Sequence, residues 1–300
     1  MSLRFPIALV ASLACLANPA WADYTAGKDA YDRGEYAIAF GKLNPLAESG
    51  DAFSEYLLGL MYAKGEGVPQ DFKQAEYWFF LAAEQGHAEA QENLGAIYAD
   101  GLGLPVDFKQ AVRWYRLAAE QGKAKAQNNL GLMYAKGKGV PRDFKQAVRW
   151  YRLAAEQGEA KAQFNLGVMY AKGQGVPRNF KNAIQWYHLA ALQGDAHAQH
   201  NLGVMYAKGE GVPRDFKQAA HWYRLAAEQG DARDQGNLGL MYAKGKGVLQ
   251  DYVLAHMWFN LAAAQGEKVA TVLRDRLAKK MTPVQIAKAQ KLAQEWKPRN

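Results

Sequence analysis

Apolar side chains recur three or four residues apart along most of this chain, which is the spacing of one face of an α-helix. Leu58, Met61 and Tyr62 follow this spacing, and it returns between Phe72 and Ala82. The intervening residues 65–70 (GEGVPQ) contain two glycines and a proline, which a helix does not tolerate. The pattern therefore predicts two helices joined by a loop.

Local signals place the ends of both predicted helices. Gly65 can adopt the left-handed conformation that ends many helices. Asp71 can cap the second helix, with Gln74 completing a capping-box-like pair, and Gly86 ends that helix. We therefore expect an antiparallel hairpin with helices of about 11 and 14 residues.

This two-helix pattern occurs six times with a period of 36 residues. The predicted repeats are residues 51–86, 87–122, 123–158, 159–194, 195–230 and 231–266. Such a period is typical of stacked supersecondary units, none of which can bury its apolar face alone. The pattern predicts an all-α stack of antiparallel helical hairpins.

Two columns of identical residues indicate how the hairpins pack. The first column is a glycine inside each first helix, where it costs about 1 kcal/mol relative to alanine. Its members are Gly59, Gly95, Gly131, Gly167, Gly203 and Gly239. We interpret it as a close approach of two helix backbones, with paired alanines such as Ala82 and Ala83 as the facing surface. The second column is a tryptophan, interpreted as core between units, with a ligand-stacking platform as the alternative. Its members are Trp78, Trp114, Trp150, Trp186, Trp222 and Trp258.

Residues 51–266 repeat one motif, A-x-A-Q-x-N-L-G-x-M-Y-x-x-G-x-G-V-P-x-D-F-x-x-A-x-x-W-Y-x-x-A-A-x-Q-G. This motif resembles the Sel-one-like repeat family, which is related to tetratricopeptide repeats. Residues 23–50 resemble the divergent helical first unit of exported bacterial members. The resemblance implies a right-handed α-solenoid that acts as an adaptor or scaffold for protein complexes.

The first 22 residues predict a signal peptide. Arg4 precedes an apolar run from Phe5 to Leu16, and residues 20–22 (AWA) supply small side chains before the expected cleavage after Ala22. The run is shorter than the roughly 20 apolar residues that span a membrane. We expect a periplasmic or secreted protein, with acylation at Cys15, which would make a lipoprotein, as the alternative.

Residues 267–300 break the period and predict a basic helical cap. The segment from Thr282 to Gln285 (TPVQ) combines an N-cap, a proline and a capping-box glutamine. Val284, Ala287 and Trp296 are expected to cover the end of the stack.

Charge is segregated along the chain. Residues 23–107 hold 5 Lys and Arg against 15 Asp and Glu, whereas residues 109–181 hold 15 against 4. A nucleic-acid binder shows a continuous basic stripe, so this distribution argues against that class. The basic block instead favours an acidic partner.

No catalytic motif accompanies the repeats. Ser49 and Ser54 lie outside the G-x-S-x-G and S-x-x-K motifs, and no H-E-x-x-H occurs. His197 and His200 stand one helical turn apart, but a closed zinc site needs further ligands. We expect no enzymatic activity, no cofactor and no metal site.

Specificity is expected where the repeats differ. The third and sixth positions of the repeat, which we expect on the exposed side of the first helix, change along the chain beside a column of asparagines. In tetratricopeptide-like stacks the first helices line the concave surface. The candidate binding residues are Asn93, Asn129, Asn165, Asn201, Asn237, Lys125, Lys161, Phe164, His197 and His200. Amides can hydrogen-bond an extended peptide backbone; alternatively, each asparagine bonds its own loop backbone.

We therefore expect a non-enzymatic scaffold of the cell envelope that binds a partner protein or an extended, acidic segment. Binding of peptidoglycan or another anionic glycan through the basic block and the basic cap is the alternative. A cell-wall or β-lactam hydrolase rests on family analogy alone. Neither a nucleic-acid partner nor a membrane span after residue 22 is expected.

Overall fold

The computed structural model describes residues 19–299, which form sixteen α-helices and contain no strand. The helices are α1 (Pro19–Asp32), α2 (Tyr36–Glu48), α3 (Ala52–Lys64), α4 (Phe72–Glu84), α5 (Ala88–Asp100), α6 (Phe108–Glu120), α7 (Ala124–Lys136), α8 (Phe144–Glu156), α9 (Ala160–Lys172), α10 (Phe180–Leu192), α11 (Ala196–Lys208), α12 (Phe216–Glu228), α13 (Ala232–Lys244), α14 (Tyr252–Ala264), α15 (Lys268–Ala278) and α16 (Pro283–Glu295). They form two compact units: unit 1 ends at Leu117, and unit 2 begins at Ala118. The predicted all-α class of repeated hairpins is confirmed.

The ends of the helices follow the local signals closely. Gly65 adopts a left-handed φ of 73° after α3, and the Asp71 carboxylate accepts hydrogen bonds from the first turn of α4. Both helices have 13 residues, so the expected lengths differ by two residues for α3 and one for α4. The expected capping-box pair of Asp71 with Gln74 is wrong, because the Asp71 N–H donates to the Tyr62 carbonyl at 3.0 Å and not to the Gln74 side chain.

The glycine column makes room for an aromatic ring. A Cβ atom at Gly59 would lie 2.5 Å from the Phe79 ring, and one at Gly203 would lie 2.5 Å from the Tyr223 ring. Each ring belongs to the second helix of the same hairpin. The helices do approach closely, but the expectation that alanines form the facing surface is wrong.

Buried glutamines join each hairpin to the preceding one. In unit 2, Gln127 Nε2 donates to the Ala119 carbonyl at 3.1 Å, and Gln127 Oε1 accepts from Gln157 Nε2 at 2.8 Å. The same pair of bonds recurs at Gln163, Gln199 and Gln235. This relay gives the buried side-chain amide one partner as a donor and one as an acceptor, as burial of polar groups in the stack requires.

Burial confirms the interpretation of the tryptophan column as core at five of its six positions. Five of its members are buried: Trp78, Trp114, Trp150, Trp222 and Trp258. Trp222 packs against Ala183, Tyr187 and Ala190 of the preceding hairpin. Trp186 is half-buried and lies at the edge of a neighbouring cluster.

The last two helices pack against α14. The capping box of Thr282 and Gln285 at the start of α16 is confirmed. However, Val284 is 78% exposed and Ala287 is also exposed, so the expectation that these two residues cover the stack is wrong. The other end of α16 packs instead, where the half-buried Trp296 meets the Trp258 ring at 6.1 Å between centroids.

Two substitutions in α14 explain where α16 packs. Leu254 stands where the other repeats carry glutamine or asparagine, and Met257 stands where they carry a polar or aromatic side chain. Both belong to the apolar cluster that α16 joins through Leu292 and Trp296. Burying these side chains together removes apolar area from water, which fixes the helix on this flank.

The N-terminal expectations reach beyond the described part of the chain. Residues 1–18, including Cys15, lie outside it, and the expected cleavage point after Ala22 falls within α1. Within residues 19–299, none of the helices combines the length and the apolar character that crossing a bilayer requires.

Candidate binding surface on the first helices

The third position of the repeat forms an exposed column in unit 2. Lys125, Lys161, His197 and Arg233 occupy it on α7, α9, α11 and α13, and all four side chains are exposed. The next residue in three of these helices is a fully buried alanine, because one residue turns a helix by about 100°. The repeat therefore presents one cationic or imidazole side chain per hairpin on the same face.

The asparagine column lies beside this one, and its amides bond neighbouring side chains. Asn165 Nδ2 donates to Asn128 Oδ1 at 2.9 Å, which links α9 to α7. Asn128 Nδ2 reaches Asn129 Oδ1 at 3.5 Å, and Asn201 hydrogen-bonds the hydroxyl of Tyr187. The asparagines remain half-buried at the surface. The sequence left open that each asparagine bonds its own loop backbone. The bonds in the structure go instead to side chains of packed helices.

The sixth position turns towards the second helices. Asn128 is 5% exposed, and the Phe164 ring lies 5.8 Å from the Tyr187 ring of α10. The expectation that this position lies on the exposed side is therefore wrong for Asn128. Phe164 remains half-buried, and its ring also lies 5.8 Å from that of His197, so these two predicted site residues are in contact.

His200 is held by a carboxylate that sequence reasoning did not connect with it. His200 Nδ1 lies 2.8 Å from Asp234 Oδ1, and Asp234 is fully buried. Asn237 Nδ2 donates to the same oxygen at 3.1 Å, while Asp234 Oδ2 has no hydrogen-bond partner within the described chain. The available signal was the aspartate itself, which replaces the alanine of the four preceding repeats.

The two histidines have separate surroundings. His200 is paired with Asp234, whereas His197 is exposed beside Phe164. Across residues 19–299, no group of three or more His, Cys, Asp or Glu side chains could hold a metal ion.

Asn93 is the one predicted site residue in unit 1. Its amide hydrogen-bonds the hydroxyl of Tyr56, one repeat earlier. Burial raises the pKa of Tyr56, Glu89 and Glu92 raise it further, and the bond from Asn93 offsets part of the rise. The Tyr56 hydroxyl that Asn93 contacts therefore lies near carboxylates, unlike the basic column of unit 2.

Six segments of the chain match the Sel1 repeat family model. The matched residues are 52–87, 88–123, 124–159, 160–195, 196–231 and 233–267. These boundaries lie within two residues of the repeats read from the sequence.

Two solved structures are similar over most of the chain. One is a protective antigen present in uropathogenic Escherichia coli strains that displays an SLR fold, with 40% identity, a TM-score of 0.77 and coverage of 85% of this chain and 56% of the antigen. The other is a Sel1 repeat protein from Oxalobacter formigenes, with 36% identity, a TM-score of 0.75 and coverage of 86% and 76%. The chain therefore spans little more than half of the antigen's length. A comparison with curated proteins returned no match.

Proposed function

Because this chain belongs to the Sel1 repeat family, we propose that it is a non-catalytic scaffold that holds an extended acidic segment of a partner protein on the first helices of unit 2. Sel1 repeat proteins are generally scaffolds for protein–protein interaction and typically lack catalysis. A periplasmic or secreted location is part of the proposal and rests on the apolar run between Phe5 and Leu16.

The observation that carries this proposal is the exposed column of Lys125, Lys161, His197 and Arg233. Arg233 already pairs with Asp231 at 3.0 Å, so the two lysines are the main anchors. The first helices of successive repeats lie side by side, as the bond between Asn165 of α9 and Asn128 of α7 shows. Helices in contact lie about 8–10 Å apart. An extended chain advances about 3.3 Å per residue. A carboxylate at every third residue of a bound segment would therefore match one cation per repeat.

The asparagines beside this column retain bonding capacity for a peptide backbone. An asparagine amide has two N–H donors and a carbonyl acceptor. Asn165 uses one donor on Asn128, and Asn201 bonds Tyr187. Their remaining groups are half-exposed next to the lysines and fit the alternating N–H and C=O groups of an extended segment.

The test uses a fluorescein-labelled peptide of four Asp-Ala-Ser triplets, whose binding to the full chain is followed by fluorescence anisotropy. We expect the double variant Lys125→Glu with Lys161→Glu to weaken binding at least about tenfold, since each attractive pair becomes repulsive. The matched control is Lys145→Glu with Lys181→Glu, which makes the same charge change on the exposed first turns of α8 and α10. It should change affinity less than about twofold.

Two further probes decide what kind of site is present. A peptide isomer with its four aspartates in one block should bind more weakly than the triplet peptide if the spacing of the column matters. Equal losses in the site variant and the control variant would show unspecific attraction by the basic block and would overturn the proposal. Co-sedimentation with peptidoglycan that depends on Lys125 and Lys161, without peptide binding, would instead assign the column to a glycan.

A further inference from the structure

Unit 1 carries an aromatic patch on its first helices, which includes the third position of the repeat. The patch consists of Tyr24 on α1, Phe53 and Tyr56 on α3, and His87 before α5. The Phe53 ring lies 5.9 Å from that of Tyr24 and 5.2 Å from that of His87, and the Tyr56 and His87 rings stack at 4.5 Å. Four rings from three successive hairpins thus form one continuous surface.

The rings of this patch are held in place by the fold. His87 Nδ1 accepts a hydrogen bond from the Ala90 N–H at the start of α5, which fixes the imidazole plane. Tyr56 packs against the Phe79 ring of α4 at 5.9 Å and is hydrogen-bonded by Asn93. Phe53 is nevertheless 51% exposed, so a large apolar ring faces solvent on a rigid base.

Carboxylates surround the aromatic patch. Asp51 lies close enough to Tyr24, and Glu89 and Glu92 close enough to Tyr56, to raise the pKa values of these phenols beyond the effect of burial. Glu89 Oε2 is 3.6 Å from His87 Nδ1. The patch also belongs to the acidic part of the chain, in which Asp and Glu outnumber Lys and Arg three to one between residues 23 and 107.

We propose that the aromatic patch binds a basic segment of a partner protein, with an arginine or lysine side chain on the exposed face of Phe53 and its charge directed towards Glu89 and Glu92. The face of an aromatic ring attracts a cation, and nearby carboxylates add to that attraction. The long aliphatic stem of either side chain also covers apolar surface.

The charge of the patch decides between a basic peptide and an envelope glycan. Aromatic rings can pack against sugars as well as cations. An anionic glycan would meet Asp51, Glu89 and Glu92 at short range, where like charges repel. A cationic peptide gains from the same groups. This site is independent of the acidic-segment site proposed for unit 2 and is tested with a probe of opposite charge.

The experiment measures binding of a fluorescein-labelled peptide of four Arg-Ala-Ser triplets to the full chain by fluorescence anisotropy. Phe53→Leu keeps an apolar side chain but removes the ring, and we expect affinity to fall about fivefold. Glu89→Gln with Glu92→Gln should lower it at least about tenfold, with the loss shrinking in high salt. Tyr77→Leu, which removes an equally exposed ring from α4 of the same unit, should leave affinity within about twofold.

Folding is checked by far-UV circular dichroism, and the exposure of Phe53 makes its substitution safe for the fold. Unchanged affinity in Phe53→Leu would overturn the assignment of the ring. Equal losses in Phe53→Leu and Tyr77→Leu would show that the patch is not the site. Displacement of the basic peptide by soluble peptidoglycan fragments would assign the patch to a glycan and also overturn the proposal. Failure of the acidic peptide to bind would leave this result unaffected.

Discussion

Units 1 and 2 share one hairpin design but present different first-helix faces. Phe53 and Glu89 occupy the third position of the repeat in unit 1, whereas Lys125 and Lys161 occupy it in unit 2. The packing around the glycine column is the same in both, as Gly59 and Gly203 show. The comparison indicates that the buried columns set the hairpin, while the exposed columns are free to set the partner.

A second difference separates the first repeat from the later ones. The buried glutamine of each later repeat donates to a carbonyl of the preceding hairpin, as Gln91 does to Ala83 in unit 1 and Gln127 does to Ala119 in unit 2. The equivalent residue of the first repeat is Glu55, which is 2% exposed and accepts from Gln85 Nε2 at 2.8 Å. A carboxylate has no N–H to donate, so the first repeat keeps only half of the glutamine relay in its ionised form.

The largest expected effect tests whether the two units share their packing. Gly59→Ala and Gly203→Ala each place a Cβ atom 2.5 Å from an aromatic ring, which must shift. We expect each to lower the free energy of unfolding by about 1–3 kcal/mol, as overpacking does. Urea unfolding followed by far-UV circular dichroism measures the loss.

The control for this prediction is another helical glycine of unit 2. A Cβ atom at Gly236 would meet no atom within 4 Å. Gly236→Ala should therefore raise the free energy of unfolding by about 1 kcal/mol through helix propensity. A loss in Gly203→Ala without one in Gly59→Ala would break the claim of equal packing.

The glutamine relay predicts opposite effects in the first and the third repeat. Gln127→Glu should cost about 1–3 kcal/mol at neutral pH, because a buried carboxylate would face the Ala119 carbonyl. Glu55→Gln should stabilise unit 1 by about 1 kcal/mol, because it restores the missing donor. Thermal unfolding of both variants at neutral pH measures the difference.

The effect of Glu55→Gln should depend on pH. Burial raises the pKa of Glu55, the bond from Gln85 opposes this rise, and Asp51 adds to it. The stability that protonated Glu55 contributes is therefore complete below its unfolded-state pKa, about 4.3, and is lost as pH rises through the folded-state pKa. The advantage of the glutamine should appear over that window. A gain that is constant across it would contradict this account.

The smallest expected effect concerns the asparagine column. Asn165→Ala removes the bond to the buried Asn128, and Asn93→Ala removes the bond to Tyr56. We expect each to lower the free energy of unfolding by about 0.5–1 kcal/mol, as loss of one hydrogen bond does. Denaturant unfolding of the two variants checks this. If neither loses stability, the amides do not link the helices and are available to a ligand alone.

Much of the fold follows from local sequence. The 36-residue period, Gly65 as a helix end and Asp71 as a cap each depend on residues close together in the chain, and each agrees with the structure. The exposed lysines of the candidate site also follow from period and charge. Lys125 and Lys161 fall in one column because equal positions in a stack face the same way.

Other parts of the candidate site required distant contacts. The pairing of His200 with Asp234 joins residues 34 apart, and within its own helix Asp234 is visible only as a replacement of alanine. The ring contact between Phe53 and His87 also spans 34 residues. Neither pairing alters the spacing of apolar residues within a single helix, so the helical pattern does not reveal it.

The sequence by itself determined the repeat, the hairpin and the column of exposed cations, because helix ends and side-chain faces depend on backbone conformation and helical period. Only the tertiary structure decided which side chains of neighbouring repeats meet. It paired Asn165 with Asn128, buried the carboxylate of Asp234 and placed α16 on the flank of α14 through Trp296. These contacts depend on how successive hairpins pack, which is a property of the stack and not of one repeat.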